Sequence, residues 1–261
     1  MSTQASRIVD LNADLGEGFG QYRIGDDNAM LSLVTSANIA CGFHAGDPEI
    51  MAATFSRARE NGVNVGAHPG FPDLWGFGRR VMPFSPAEIE RLVAYQVGAA
   101  MALAAYSGHG ITYVKPHGAL GNLTETDADI AMAVARAVRA VDDRLAVLAI
   151  ARSVLGQCAT DMGMTVYSEI FADRAYTEEG RLVSRRLPGA VIHDPDMAAA
   201  RVVRMVEAGA IETQAGRMLP TPIHSICVHG DNTHAVHVTR RVRTALEEAG
   251  IVLRSFVNSP A

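Results

Sequence analysis

Hydrophobic and polar positions follow two alternating rhythms along this chain. Short apolar runs are separated by longer stretches with helical spacing. The runs Arg7–Leu11, Ser36–Ala40, Val63–Ala67, Ile111–Val114, Ala146–Ile150, Thr165–Glu169 and Ser225–Val228 read as strands, with Ile251–Leu253 as a short closing one. Ser85-Pro86-Ala87-Glu88 has the form of a capping box with proline at the first helical position, and opens a helix reaching Tyr106. Asp47-Pro48 and Asp194-Pro195 open helices running to Asn61 and Ala208, Thr126 to Asp129 opens one ending at Val141, and Asn232 to Ala249 forms the last, stopped by Gly250.

Strands alternating with crossover helices imply a parallel sheet covered on both faces. Seven or eight such units in 261 residues fit a TIM-like (β/α) barrel occupying residues 1–261 as one domain, rather than an open doubly wound sheet. Two long irregular stretches, Pro69–Pro83 and Phe171–Ile192, read as lids or binding loops. Neither a G-x-G-x-x-G turn after a strand nor a G-x-x-x-x-G-K-[ST] loop occurs.

Composition narrows the partners. The chain is 48% hydrophobic and 20% charged with a net charge of -5 and no basic block, which argues against nucleic acid or an anionic membrane as the main partner. No apolar run has the length of a membrane span, and the polar stretch Met1–Asp10 lacks a signal-peptide core, so a cytoplasmic protein is expected. Cys41, Cys158 and Cys227 are too scattered for a disulfide framework or a cysteine zinc site; Cys41 and Cys227 read as small core residues, with a nucleophilic role for Cys41 as the minor alternative. Charge chemistry is more pointed. Of 23 Lys and Arg residues only Lys115 is lysine, and it stands where an apolar run breaks into Pro116, His117 and Gly118. A compact ammonium does what a wide, flat guanidinium cannot, and its following proline favours the extended backbone of a strand end.

Four histidines repeat one local pattern, an apolar run followed by His among small residues: His44, His68, His117 and His229. Each falls at the C-terminal end of an expected strand, the rim that carries the active site in parallel α/β folds. Asn12, Asp14 and Glu17 reach the same rim from the first strand, where Asn12 and Asp14 share one side of the chain. Asp14 is read as a general base, as a carboxylate joining His44 and His68 on a metal ion, or as a tie for the turn. Asp47 and Asp231 each precede a helix, where a cap is the default reading, and both can cap and still face the site. Arg79-Arg80 follows a glycine-rich aromatic loop and suits bidentate binding of a carboxylate or phosphate, or a solvated pair. Glu169, Asp173, Arg174 and Arg185-Arg186 are rim contacts or a local ion-pair network.

Leu11 to Glu17, Ser36 to Pro48, Gly66 to Leu74, Gly76 to Arg80, Val114 to Leu120, Phe171 to Tyr176 and Cys227 to Asp231 together resemble the LamB/YcsF family over nearly the whole chain. The resemblance implies a barrel related to the glycoside hydrolase/deacetylase group. It also implies ATP-dependent opening of 5-oxo-L-proline to L-glutamate, as one component of a 5-oxoprolinase whose other components are subunits B and C. The sequence departs from the family pattern at Ala13, where cysteine is more usual, at Gly121, where tyrosine is expected, and at Thr233, where proline is usual. Ala13 removes the need for a thiol there, and Gly121 removes an aromatic wall.

With no P-loop in this chain, ATP is expected on the partners, which phosphorylate the lactam oxygen for hydrolysis here. The expected catalytic residues are Asp14, Lys115, His117, His229 and Asp231, with Lys115 facing the developing oxyanion or the phosphate. Asn12, Glu17, His44, Asp47, His68, Arg79, Glu169 and Arg174 are the expected substrate contacts, Arg79 on the substrate carboxylate. Two alternatives stand beside this reading. One is a lone metal-dependent deacetylase or amidohydrolase with a divalent ion on Asp14, His44 and His68 and with His117 as acid/base. The other is a binding subunit that only presents substrate to its partners.

Overall fold

The computed structural model describes residues 7–229 and 235–257. Seven parallel strands close into a barrel: β1 (Ile8–Leu15), β2 (Ser36–Ala40), β3 (Asn64–His68), β4 (Ile111–Val114), β5 (Ala146–Ile150), β6 (Val166–Phe171) and, after a hairpin of β7 (Ala210–Glu212) and β8 (Met218–Pro220), β9 (Ser225–Val228). β9 pairs with both β6 and β1, which shuts the ring. The expected closing strand is β10 (Val252–Leu253). It pairs only with Ile8 and Val9 at the start of β1, so it lies beside the ring rather than in it.

The surrounding helices are α1 (Asp27–Leu31), α2 (Pro48–Glu60), α3 (Pro86–Tyr106), α4 (Gly118–Leu123), α5 (Ala128–Val141), α6 (Val154–Asp161), α7 (Pro195–Ala208) and α8 (Ala235–Glu248). Their starts follow the capping chemistry read from the sequence. Asp47, Asp127 and Asp194 each accept two backbone N–H groups of the first turn, and Ser85 with Glu88 forms a capping box. The helices α1, α4 and α6 were not expected; at 5, 6 and 8 residues they are too short to display a helical repeat. The β7–β8 hairpin was also unexpected, because three-residue strands ending at Pro220 carry no alternation to read.

Strand alternation divides the barrel residues into two sets. Val9, Leu11, Ala13, Leu15, Ala37 and Ile39 join the main apolar core with helix residues such as Phe55, Val93 and Val134. Their neighbours Asp10, Asn12, Asp14, Ser36, Asn38, Tyr113, Glu169 and Ser225 are buried polar residues that bond to one another across the ring. The barrel is therefore filled by a polar column. At its lower end Asp10 accepts hydroxyl hydrogen bonds from Thr35 and Ser36, both at 2.6 Å, and from Ser225. Burial pushes the Asp10 carboxyl up to about 6 against the pull of those three hydroxyls. Above it Asn12 donates to Ser225 Oγ at 2.7 Å and accepts from Asn38 at 2.6 Å, while Tyr113 donates to Asn38 Oδ1 at 2.8 Å. The Tyr113 ring fits only because β3 has glycine opposite: a Cβ on Gly66 would stand 2.3 Å from it. Phe256 closes the base, its ring centroid 5.0 Å from Tyr113 and 4.6 Å from Tyr167.

Both long loops are ordered over the C-terminal rim. Residues 171–192 form two bridges, Arg174 with Val191 and Tyr176 with Leu182, over a small core of Ala175, Val183 and Ala190. In the other loop a turn at Leu74–Gly76 leads into Phe77 and Gly78, both in the left-handed region, which aims the Phe77 carbonyl inward. Among the described residues no helix is long and apolar enough to cross a membrane.

Candidate active site

The polar column ends at the rim in Lys115, whose ammonium is buried. Its Nζ lies 3.0 Å from Asp14 Oδ1, 3.0 Å from Glu169 Oε2, 3.1 Å from Cys227 Sγ and 3.4 Å from Asn12 Oδ1. Burial opposes this charge, but the neighbouring anionic groups, with Asp14 foremost, outweigh it and hold the Lys115 pKa well above its ordinary value. Burial does not neutralise the lysine; the two carboxylates keep it a fixed cation. Asp14 is held well below the usual carboxylate range, because His68 and Lys115 overcome its desolvation. Glu169 moves the other way: its complete burial raises it despite Lys115, and among the described residues its Oε1 has no hydrogen-bond partner. Cys227, expected as core filler, is buried but touches the ammonium, and burial pushes its thiol well above its ordinary range.

The histidines of β2, β3 and β4 meet beside this lysine. His68 Nε2 lies 3.3 Å from Asp14 Oδ2 and 2.9 Å from His117 Nδ1. His44 stacks on His117 with centroids 3.7 Å apart and planes 5° from parallel. A Cβ on Gly70 or Gly78 would strike these rings, so glycine is what lets the loop backbone close over them. Burial first, and neighbouring histidines second, lower His44 and His117 well below the ordinary imidazole range. Glu17 adds its carboxylate, 3.9 Å from His44 and 3.8 Å from His117.

Across the rim, Asp173 accepts from His229 Nδ1 at 2.8 Å, and Arg185 donates to His229 Nε2 at 2.7 Å. Asp173 therefore fixes the tautomer that leaves the lone pair on Nε2. The Phe171 ring joins the two halves, stacked 5.7 Å from His229 and 5.3 Å from the Lys115 ammonium. Between them opens a cleft of about 530 Å³, lined by Asp14, His68, Lys115, His117, Glu169 and His229 below. Arg79, Arg174, Arg181, Arg185 and Arg186 line it above. A buried cation, three imidazoles and five guanidinium groups around one small cleft suit an anionic substrate with a carbonyl or phosphoryl oxygen.

The LamB/YcsF family matches residues 9–260 of this sequence. The chain belongs to that family. A Gluconobacter oxydans protein named as a 5-oxoprolinase subunit is 66% identical over 251 residues, covering 96% of this chain and 99% of that one. The crystal structure of a lactam utilization protein from Thermus thermophilus superposes with a TM-score of 0.90 at 44% identity, covering 95% of this chain and 99% of that one. The catalytic domain of a peptidoglycan N-acetylglucosamine deacetylase from Eubacterium rectale, at 10% identity and a TM-score of 0.54, covering 99% of this chain and 92% of that one, shares the fold.

In this LamB/YcsF barrel, most site residues expected from sequence come together: Asp14, His68, Arg79, Lys115, His117, Glu169, Arg174 and His229 line the cleft. Asn12, Glu17 and His44 lie buried behind it. Asp47 does not line it. Its Oδ1 accepts from the Glu49 and Ile50 N–H groups and its Oδ2 from Gly20 at 2.7 Å, so it serves as the cap of α2. Arg174 spends its guanidinium on the Val183 and Ala190 carbonyls, which makes it a brace for the long loop as well as a wall. Arg80 turns away to Asp73, leaving Arg79 at the cleft, where it packs over Phe77 at 5.0 Å. Asp231 lies outside the described residues. The metal trio of Asp14, His44 and His68 is redrawn: the mutually close donors are Glu17, His44, His68 and His117. Glu125 was missed. It is buried, lines the cleft, and burial raises it to about 7. Its position just before the Asp127 cap makes it look like ordinary helix-start acidity.

Proposed function

We propose that this chain is the lactam-opening component of a 5-oxoprolinase, converting 5-oxo-L-proline to L-glutamate together with subunits B and C. The observation that carries the reading is the buried Lys115 ammonium at the floor of an arginine-rimmed cleft. The names of the G. oxydans and T. thermophilus relatives support it.

A five-membered lactam is a stabilised amide, and its hydrolysis needs coupling. In this reading the partners bind ATP and phosphorylate the lactam oxygen. The activated ring enters the cleft with its oxygen and phosphate toward Lys115 and its carboxylate toward Arg79. Arg185 leaves the His229 Nε2 lone pair for the anionic substrate, and His229, oriented by Asp173, then takes a proton from water at Nε2 as the water adds to the ring carbon. The C–N bond then breaks as the ring nitrogen gains a proton, and hydrolysis of the resulting acyl phosphate releases glutamate and phosphate. Lys115 serves as a preorganised cation for the charge that develops on oxygen.

The four mutually close donors Glu17, His44, His68 and His117 favour a second reading, a metal-dependent amidohydrolase acting without partners. Glutamate formation from 5-oxo-L-proline separates the two. The first reading expects turnover only when the chain is combined with subunits B and C and ATP. Turnover by the isolated chain without ATP would replace it with the second.

A further inference from the structure

We propose that Glu17, His44, His68 and His117 form a binding site for a first-row divalent cation, with zinc as its simplest occupant. Hydrogen bonds made by the rings carry the argument. His68 Nδ1 lies 2.7 Å from the Lys115 carbonyl oxygen, and His117 Nε2 lies 2.8 Å from the Phe77 carbonyl oxygen. A carbonyl oxygen only accepts, so both of these nitrogens carry protons. The other two nitrogens, His68 Nε2 and His117 Nδ1, face each other at 2.9 Å. In neutral rings each presents a lone pair, and two lone pairs at that distance repel unless a positive species stands beside them: a metal ion, or a proton on His68 Nε2 shared with Asp14 Oδ2 at 3.3 Å, which the nitrogen-shift measurement below distinguishes.

His44 is an independent observation. It is fully buried, and among the described residues neither ring nitrogen has a hydrogen-bond partner. Leaving such a group unmet is costly, and a cation meets the need of one of the two nitrogens. One donor atom from each of the four residues lies within 4.8 Å of the others. Three imidazoles and one carboxylate suit zinc and its first-row neighbours, and carbonyls that fix the outer ring nitrogens are the usual supports of metal-bound histidine. Since His68 and His117 line the cleft, the cation would face it. Asp14 is not among the four mutually close donors: its Oδ1 is held by Lys115 and Asn38, and its Oδ2 lies beside His68 Nε2 at 3.3 Å as a partner of that ring.

The test reads metal content rather than turnover, so it stands or falls apart from the lactam reading. Full-length chain is stripped with a chelator and titrated with Zn²⁺, and in parallel with Co²⁺. The expected result is one equivalent retained through gel filtration, a visible cobalt absorption band and a higher Tm. Glu17→Gln and His44→Gln should lose the retained ion, while Asp14→Asn keeps it. Folded parent protein that retains neither ion overturns the site, even if a variant fails to fold. Loss in Asp14→Asn with retention in Glu17→Gln overturns this donor set. So does a doubly protonated His68, read from imidazole nitrogen shifts in excess zinc.

Discussion

The two ends of the polar column inside the barrel contain similar chemistry in opposite states. At the base Asp10 has three hydroxyl donors, and the rings of Tyr113, Tyr167 and Phe256 seal it from below. At the rim a lysine is shared among two carboxylates and a thiol, while Glu169 Oε1 and both His44 nitrogens have no hydrogen-bond partner among the described residues. Buried polar groups in folded proteins are almost always satisfied, so a satisfied network reads as architecture and an unsatisfied one as a place awaiting a ligand. Changes at the base should therefore cost stability, and changes at the rim should cost turnover.

The largest expected effect is at the rim. On the proposed reading, His229→Asn should lower kcat of the chain combined with subunits B and C by ~10²–10⁴, the usual contribution of a general base. Thermal unfolding should barely change; a variant that unfolds early but turns over normally would reverse the roles of the two ends. At the base the folded pKa of Asp10, about 6, stands above its ordinary 3.8. The folded state thus holds an extra proton between those values. Its contribution is full below the unfolded pKa and is lost as pH rises through about 6, on the order of 3 kcal/mol in all. Denaturant titrations from pH 4 to pH 7 should show this loss in the parent and a flatter profile in Asp10→Asn, with kcat per folded molecule unchanged.

Gly66→Ala probes the middle of the column. Its new methyl group meets the Tyr113 ring, and overpacking of this kind costs about 1–3 kcal/mol. A denaturation midpoint equal to the parent's would mean that Tyr113 is not fixed by its bond to Asn38. The smallest effect belongs outside both ends. Trp75 is 98% exposed, and Trp75→Ala should change the isolated chain's stability by no more than about 0.5 kcal/mol. A larger loss in the same titration would show packing that the exposed ring does not suggest.

Much of this contrast is legible in the sequence. The strands announced themselves as apolar runs, and period-2 alternation already put Asn12 and Asp14 on one side of β1. The lone lysine, followed by Pro116, marked the rim, and four histidines at strand ends marked its neighbours. The partners of Lys115 were harder to see. Glu169 is 54 positions further along the sequence and Cys227 112, and a cysteine in an apolar run looks like packing. Asn38 and Ser36 show the same alternation within β2, but a five-residue strand offers little room to display it. Glu17 stands among the clustered donors because the chain turns at Gly16, and spacing along one strand does not report a turn.

The central claim is that the unsatisfied rim acts through one compact, fixed ammonium. Lys115→Arg keeps the charge but not its size or its fit between Asp14 and Glu169. In the proposed complex with subunits B and C, assayed with ATP and 5-oxo-L-proline, this variant should retain the parent's circular dichroism and lose ~10²–10³ in kcat. Turnover at the parent rate would contradict the account.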